Sequence, residues 1–279
     1  MEDIDERRAV LARAVREGGD VALEAFRRTV DVETKRGPLD AVTDVDRRVE
    51  REVAATVRES FPGEPVVGEE GESDRGAADA VDCGARDADA VPERGPAWVV
   101  DPIDGTSNYV RGIRVWTTSA ALTVDGDPVE AVNYLPALGD TYATTRSGVT
   151  RNGDPVSVSD RSDPGALLVG TTFGTREPHR EGLRLTTRRV TDRFGDLRRF
   201  GSGQAALSMV ASGELDAVVA TVCLHPWDSL AGVALVQAAG GTVTDVRGDP
   251  WRHDSVGLVA SNGRAHDMLV DALRSTEEQ

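Results

Sequence analysis

The chain has 279 residues, about twice the usual single-domain length, and carries 48 acidic against 32 basic side chains, a formal net charge of −16. A surface this negative repels a phosphate backbone, which argues against nucleic-acid binding. Lys35 is the only lysine among the basic residues, and aspartate outnumbers glutamate. Carboxylates retain water and cations in concentrated salt, where the Debye length is about 3 Å at 1 M. The composition therefore indicates a halophilic protein of a salt-rich cytoplasm; an acidic protein from ordinary salinity is the alternative.

The sequence also argues against secretion and membrane insertion. Cys83 and Cys223 are too few for a disulfide framework or a four-ligand zinc site, and both are expected to be thiols. The acidic amino terminus lacks the apolar core of a signal peptide, and no run approaches the roughly 18 apolar residues of a membrane span. We expect a soluble, cytoplasmic protein with no membrane partner.

The first predicted elements are helices followed by a loop. Apolar residues at helical spacing predict a helix over 4–30, with Gly18-Gly19 as a weak point. Valines at positions 45, 49, 53 and 57 predict a second helix with Thr43 as its N-cap and Asp46 three residues on. Residues 71–96 lack periodicity and are expected to form a loop or lid.

Strands dominate the next part of the chain. Residues 97–100 predict a buried strand that Pro102 halts, because proline cannot donate to a sheet ladder. The stretches 116–124, 129–135, 141–145 and 156–158 are expected to join it in one antiparallel sheet.

Strands and helices alternate in the second half, which is typical of α/β layering. The predicted strands are 167–171, 217–222, 242–246 and 257–260, and the predicted helices are 180–194, 204–212, 227–239 and 265–273. Because the rhythm changes near residue 160, we expect an N-terminal α+β subdomain over 1–160 and a C-terminal α/β subdomain over 161–279 that share an interface.

The densest chemical motif is Asp101-Pro102-Ile103-Asp104-Gly105-Thr106, at the carboxyl end of a predicted strand. Its two carboxylates and the carbonyl between them are hard oxygen ligands of the kind that Mg²⁺ prefers. The Gly-Thr pair lets the backbone approach a ligand and present N–H groups to an anion. A solvated turn with two capping aspartates is the alternative.

Three further acidic positions add to this motif. Glu69 follows the apolar pair Val66-Val67 at the end of a short predicted strand, where a solvated surface is the alternative. Asp228 begins a predicted helix and Asp46 lies in the first turn of another. For these two, an N-cap and a favourable contact with the helix dipole are the alternatives.

Together these motifs resemble the inositol monophosphatase family, within the lithium-sensitive, Mg²⁺-dependent superfamily that includes fructose-1,6-bisphosphatases and nucleotide 3′-phosphatases. The resemblance rests on Lys35 with 40–46, on Gly68-Glu69-Glu70, on 98–109, and on 227–232 followed by Ala239-Gly240-Gly241. It covers nearly the whole chain. It implies an α/β fold of five layers, an α/β/α/β/α sandwich, usually assembled as a homodimer.

The resemblance also implies the roles of individual residues. The metal ligands for two or three Mg²⁺ would be Glu69, Asp101, Asp104, Asp228 and the Ile103 carbonyl, with Asp101 bridging the ions. Thr106, helped by Asp46, would orient and deprotonate a metal-bound water, Glu69 would belong to the same catalytic group, and the Gly105 and Thr106 N–H groups would cradle the phosphate. Asp104, Asp228, Gly201 and Ser202 would also line the substrate site.

One departure from the family pattern bears on the substrate. Animal members carry a glutamate that binds inositol hydroxyls seven residues before the Trp-Asp aspartate, and here that position is Thr221. The resemblance therefore favours a small phosphorylated sugar or polyol, fructose 1,6-bisphosphate or inositol 1-phosphate, over strict inositol specificity. A 3′(2′),5′-bisphosphate nucleotidase is one alternative, and a non-catalytic, metal-dependent phosphate-binding protein is another.

Overall fold

The computed structural model describes residues 2–28, 32–34, 41–71, 91–171 and 180–274. The helices in these ranges are α1 (Glu2–Ala25), α2 (Asp44–Ser60), α3 (Thr106–Val110), α4 (Arg180–Arg193), α5 (Gly203–Ala211), α6 (Pro226–Ala238) and α7 (His266–Arg274). The strands are β1 (Val32–Thr34), β2 (Ala41–Thr43), β3 (Val66–Gly68), β4 (Pro96–Asp104), β5 (Thr117–Val124), β6 (Asp127–Leu135), β7 (Asp140–Thr145), β8 (Gly148–Arg151), β9 (Asp154–Val156), β10 (Leu168–Thr171), β11 (Asp196–Arg198), β12 (Ala217–Cys223), β13 (Thr242–Thr244) and β14 (Val256–Ser261).

Two large sheets form the frame. One has seven strands in the order β3-β4-β5-β6-β7-β8-β9, in which β3 runs parallel to β4 and every other neighbour is antiparallel. The other has five strands in the order β11-β10-β12-β14-β13, with β11, β10 and β12 parallel. The predicted antiparallel sheet and the α/β rhythm of the second half are confirmed. The sequence did not predict β1, β2, β8 or β11, and the strand predicted at 156–158 overlaps β9 only at Val156.

Three apolar clusters separate these sheets and the helices into layers. The first joins α1 and α2 to one face of the seven-stranded sheet, where Trp98 and Val100 point. The second holds α5 and α6 between the two sheets, and Val99 and Val218 point into it. The third packs α4 and α7 on the outer face of the five-stranded sheet. The five-layered α/β/α/β/α sandwich is therefore confirmed.

The first helix differs from its prediction at two points. It ends at Ala25 rather than at position 30, and it runs unbroken through Gly18-Gly19. A Cβ on Gly18 would stand 3.2 Å from Val49 Cγ1, and one on Gly19 would overlap the Tyr134 ring. The glycine pair is thus a point of close packing on α2 and the sheet, and its interpretation as a weak point is wrong.

Other expectations meet the structure only in part. Residues 72–90, most of the predicted loop or lid, lie outside the described residues, as do Lys35 and Cys83. Cys223 is disulfide-bonded, so the expected thiol at that position is wrong. Within the described ranges, no helix is long and apolar enough to cross a membrane. The two large sheets lie on either side of residue 160, and the division into subdomains stays a prediction.

Candidate active site

A bulge at the end of β4 points two aspartates toward the central layer. In a regular strand, residues three apart face opposite sides of the sheet. Between Asp101, paired with Ser119, and Asp104, paired with Thr117, β4 has one residue more than β5, which reverses the alternation. The strand therefore continues through Pro102, and the prediction that proline halts it is wrong. Ile103 turns its side chain into the α1/α2 cluster.

Glu69 reaches the same sheet edge from the neighbouring strand. β3 pairs with β4 in parallel, with Gly68 opposite Val100, so the next residues along the chain are Glu69, just after β3, and Asp101 in β4. The turn after β3 is held by Glu50, whose Oε2 accepts a hydrogen bond from the Glu70 N–H at 2.7 Å. A Cβ on Gly68 would overlap the Glu50 carboxylate. Only glycine admits this buried carboxylate beneath the strand end.

Asp104 is anchored to the start of α5. Its Oδ2 accepts hydrogen bonds from Ser202 Oγ at 2.5 Å and from the Gln204 N–H at 2.7 Å. Burial raises the pKa of Asp104, while hydrogen bonds from Ser202 and from the first N–H groups of α5 lower it. A helix N-terminus stabilises a carboxylate placed there. The structure thus brings Asp104 and Ser202 together across the two halves of the chain.

Asp46 and Asp228 each lie in the first turn of a helix. Thr43 is the N-cap of α2, as predicted, and Asp46 Oδ2 completes a capping box by accepting from the Thr43 N–H at 2.8 Å. For α6 the N-cap is His225, and Asp228 is held in the first turn by its N–H donating to the His225 carbonyl at 3.1 Å. Both carboxylates therefore sit where a helix dipole favours negative charge.

The five acidic residues share one electrostatic field centred on Asp101. Burial raises the pKa of Asp101 well above its ordinary value, and the negative charges of Glu69, Asp104, Asp228 and Asp46 raise it further. The side chain is 1% exposed, and its Oδ1 has no hydrogen-bond partner. A buried carboxylate oxygen without a donor, among four other carboxylates, is costly unless a proton or a cation neutralises it.

The donor set fits a hard divalent cation such as Mg²⁺. Carboxylate oxygens and a backbone carbonyl are its preferred ligands, and Asp101 Oδ1 offers a free acceptor. As these side chains stand, no group of three or more His, Cys, Asp or Glu in the described ranges is arranged as a finished metal cage. Asp104 Oδ2 and Asp46 Oδ2 instead accept protein hydrogen bonds.

The turn after β4 needs glycine. Gly105 has φ +90°, and a Cβ there would stand 3.1 Å from the Gly201 carbonyl and 3.3 Å from that of Val115. It is the N-cap of α3, which begins with Thr106. Thr106 Oγ1 donates to the Ile103 carbonyl at 3.0 Å. This turn therefore brings the Thr106 hydroxyl into contact with the Ile103 carbonyl, which is one of the predicted metal ligands.

Two other residues that are predicted to contact the substrate, Ser202 and Thr221, have hydroxyl groups that contact other protein groups. Ser202 is 1% exposed and its hydroxyl is engaged with Asp104 and with the Ala205 N–H, which it caps. Thr221 Oγ1 lies 3.4 Å from Thr186 Oγ1, on the side of α4. Its contacts are thus with the outer helix layer, and its role toward a substrate stays a prediction.

The sequence does not single out two residues that tie the site together. Asn108 Nδ2 donates to the carbonyls of Val115 and Phe200, both at 2.7 Å, and so links α3 to the loop before α5. Gln204, fully buried, connects α5 with α6 through its side-chain amide. Phe200 is 92 residues from Asn108, and Trp227 and Gly232 are 23 and 28 residues from Gln204, so spacing alone could not reveal these links.

Comparison with known proteins agrees with this fold. The sequence model of the inositol monophosphatase family matches residues 3–278. A fructose-1,6-bisphosphatase/inositol-1-monophosphatase of Thermotoga maritima is 30% identical over 268 residues, which span 96% of this chain and 95% of that protein. A protein named Nus factor SuhB from Xylella fastidiosa is also 30% identical, over 276 residues covering 96% of this chain and 94% of that protein. Among solved structures, the Thermotoga maritima IMPase matches with a TM-score of 0.81 at 28% identity, covering 99% of this chain and 98% of that one.

Proposed function

Because this chain belongs to the inositol monophosphatase family, we propose that it is a Mg²⁺-dependent phosphomonoesterase of small sugar and polyol phosphates. Membership makes it a phosphatase of the inositol monophosphatase/fructose-1,6-bisphosphatase type, a phosphoric monoester hydrolase. The observation that carries the proposal is the buried Asp101, whose Oδ1 lacks a donor and whose pKa is raised by burial and by four neighbouring carboxylates. A bound cation would stabilise the ionised form of this group and would invert the sign of the local field so that a phosphate can enter.

The proposed metal ligands are Glu69, Asp101, Asp104, Asp228 and the Ile103 carbonyl, for two or three Mg²⁺. When bound, such ions supply a Lewis acid and lower the pKa of water. The N–H groups of Gly105 and Thr106, at the turn that starts α3, hold the phosphate. Asp46 accepts the proton of the attacking water through Thr106 Oγ1, so no side chain has to form a covalent bond to phosphorus.

The substrate proposal is dual specificity for fructose 1,6-bisphosphate and inositol 1-phosphate. The family resemblance puts Thr221 in place of a glutamate that binds inositol hydroxyls and would repel a second phosphate, and we propose that the neutral side chain admits both substrates. The Thermotoga relative bears both activities in its name. We further propose a homodimer that works in a salt-rich cytoplasm, on the grounds of the family's usual assembly and the net charge of −16.

A panel of phosphate esters in high salt tests this proposal. We expect Mg²⁺-dependent phosphate release from fructose 1,6-bisphosphate and inositol 1-phosphate, and little from adenosine 3′,5′-bisphosphate, because aromatic residues that could bind a base make up only 4% of the chain. Preference for the nucleotide would favour the nucleotidase alternative. Mg²⁺ binding without release from any ester would favour the non-catalytic one.

A further inference from the structure

Gln204 connects the two halves of the proposed metal site. It is the second residue of α5, and its backbone N–H donates to Asp104 Oδ2 at 2.7 Å. Its side-chain Nε2 donates to the Trp227 carbonyl at 2.7 Å, and its Oε1 accepts from the Gly232 N–H at 2.7 Å. Both of these partners lie in α6, the helix whose first turn bears Asp228. Gln204 is thus bonded both to Asp104, at the end of β4, and to the first turns of α6.

The surroundings of Gln204 leave its side chain a single position. It is 0% exposed, and Asn133 of β6, also 0% exposed, donates from Nδ2 to the Gln204 carbonyl at 3.1 Å and to Oε1 at 3.2 Å. Gly232 has no side chain, and a Cβ at this position would stand 2.9 Å from Gln204 Oε1. α5 and α6 can therefore approach closely enough for the amide to bridge them.

A buried amide is costly when its hydrogen bonds are not made. Any rotation of the Gln204 side chain would leave its own polar atoms unpaired in the apolar central layer. Both polar atoms of the Gln204 amide have buried partners, and such bonds restrict the movement of the side chain. It fixes the start of α6, and with it the backbone of Asp228, relative to Asp104.

We propose that Gln204 is a positioning residue that sets the spacing between Asp104 and Asp228 and thereby favours Mg²⁺ over larger cations. The inference rests on the proposed function, since it takes both aspartates as metal ligands. Mg²⁺ requires near-ideal octahedral geometry with oxygens at about 2.0–2.1 Å, whereas Ca²⁺ accepts six to eight oxygens at about 2.3–2.6 Å in flexible arrangements. A loosened spacing should therefore penalise Mg²⁺ far more than Ca²⁺.

Calorimetric titration of the full-length protein with Mg²⁺ and, separately, with Ca²⁺ tests this role. Gln204→Met keeps the shape of the side chain and removes both bonds to α6. Ser208→Ala is the matched control, because Ser208 Oγ is buried in the same network, bonded to Asn133 Nδ2 at 2.9 Å and to the Gln204 carbonyl at 2.8 Å, but touches neither aspartate nor α6 through its hydroxyl. Should Gln204→Met fail to fold, Gln204→Asn retains an amide that is too short to reach Trp227 and Gly232 together.

For Gln204→Met we expect the Kd for Mg²⁺ to rise by about tenfold, the equivalent of one hydrogen bond, and the Kd for Ca²⁺ to rise distinctly less. Ser208→Ala should leave both constants within about twofold of the unaltered protein. Equal weakening of both cations, or unchanged Mg²⁺ binding, would overturn the role of Gln204. Absence of Mg²⁺ binding by the unaltered protein would overturn the proposed function itself.

Discussion

Asp46 occupies a position where a structural and a catalytic role are both possible, and two substitutions separate them. Its Oδ2 accepts from the Thr43 N–H at 2.8 Å and from Thr43 Oγ1 at 2.5 Å, so it caps α2. It also contributes to the charge around Asp101. If Asp46 only caps the helix, replacing it should affect stability alone; if it accepts a proton through Thr106, turnover should fall as well.

The magnitudes of the two effects are far apart. Losing part of a capping box costs about 1 kcal/mol, within a range of about 0.5–2, and such a loss lowers the Tm of a protein of this size by about 2–4 °C. A domain stable by about 5–15 kcal/mol remains more than about 99% folded after that loss. Removal of a general base instead lowers turnover by about 10²–10⁴-fold. Asp46→Asn, which keeps the shape and removes the charge, should show both effects.

Thr43→Ala is the matched control. It removes the hydroxyl that accepts from the Val45 N–H at 3.2 Å and the Asp46 N–H at 3.3 Å, at a similar cost of about 1 kcal/mol. Because the variant keeps the Asp46 carboxylate and loses only the hydroxyl that donates to it, its turnover should fall by no more than about tenfold, far less than that of Asp46→Asn. Steady-state phosphate release and thermal unfolding, measured on both variants, decide the question. Equal turnover in Asp46→Asn and Thr43→Ala would refute the catalytic role and leave Asp46 as a cap.

Three further variants test the site and the packing. Thr106→Ala should lower turnover while Mg²⁺ binding, measured calorimetrically, is retained, since the hydroxyl is proposed to orient water; lost binding would mean that its hydrogen bond to Ile103 shapes the metal site. Burial lowers the pKa of His266 below 6.5, so the folded state stays neutral where the unfolded state takes up a proton, and stability should fall as the pH drops below about 6.5. His266→Gln should flatten that dependence in denaturant titrations, and an unchanged slope would contradict it. Gly19→Ala should lower stability by about 1–3 kcal/mol because the methyl group overlaps the Tyr134 ring; a rise in Tm would show that the gain in helix propensity prevails.

Periodicity and local motifs predict most of the elements because the information that decides them is local. The valine series of α2 and its Thr43 cap are confirmed, as are the predicted strands that correspond to β4–β7, β10 and β12–β14 and the predicted helices that correspond to α4–α7. Errors arise where tertiary packing decides. Gly18-Gly19 appears as a helix weakness in sequence but serves contact with α2, and Pro102 appears as a strand end but lies in a bulge.

The candidate site follows the same division. The carboxylates of the site were identified from the family resemblance. In the structure, the negative charges of Glu69, Asp104, Asp228 and Asp46 raise the pKa of Asp101. The hydrogen bonds that hold Asp104 could not be predicted, because their donors lie far from it in the chain. Ser202 and Asp104 are 98 residues apart, a separation that no local pattern records.

The most direct test of the account is a Mg²⁺ titration of phosphate release, run in parallel on the unaltered protein and on Asp104→Asn. Inositol 1-phosphate and fructose 1,6-bisphosphate serve as substrates, and unfolding curves show whether the variant is folded. The account predicts saturable activation by Mg²⁺, complete loss with a chelator, and turnover lower by about two or more orders of magnitude in folded Asp104→Asn. Phosphate release that survives the chelator, or near-normal activity in Asp104→Asn, would contradict it.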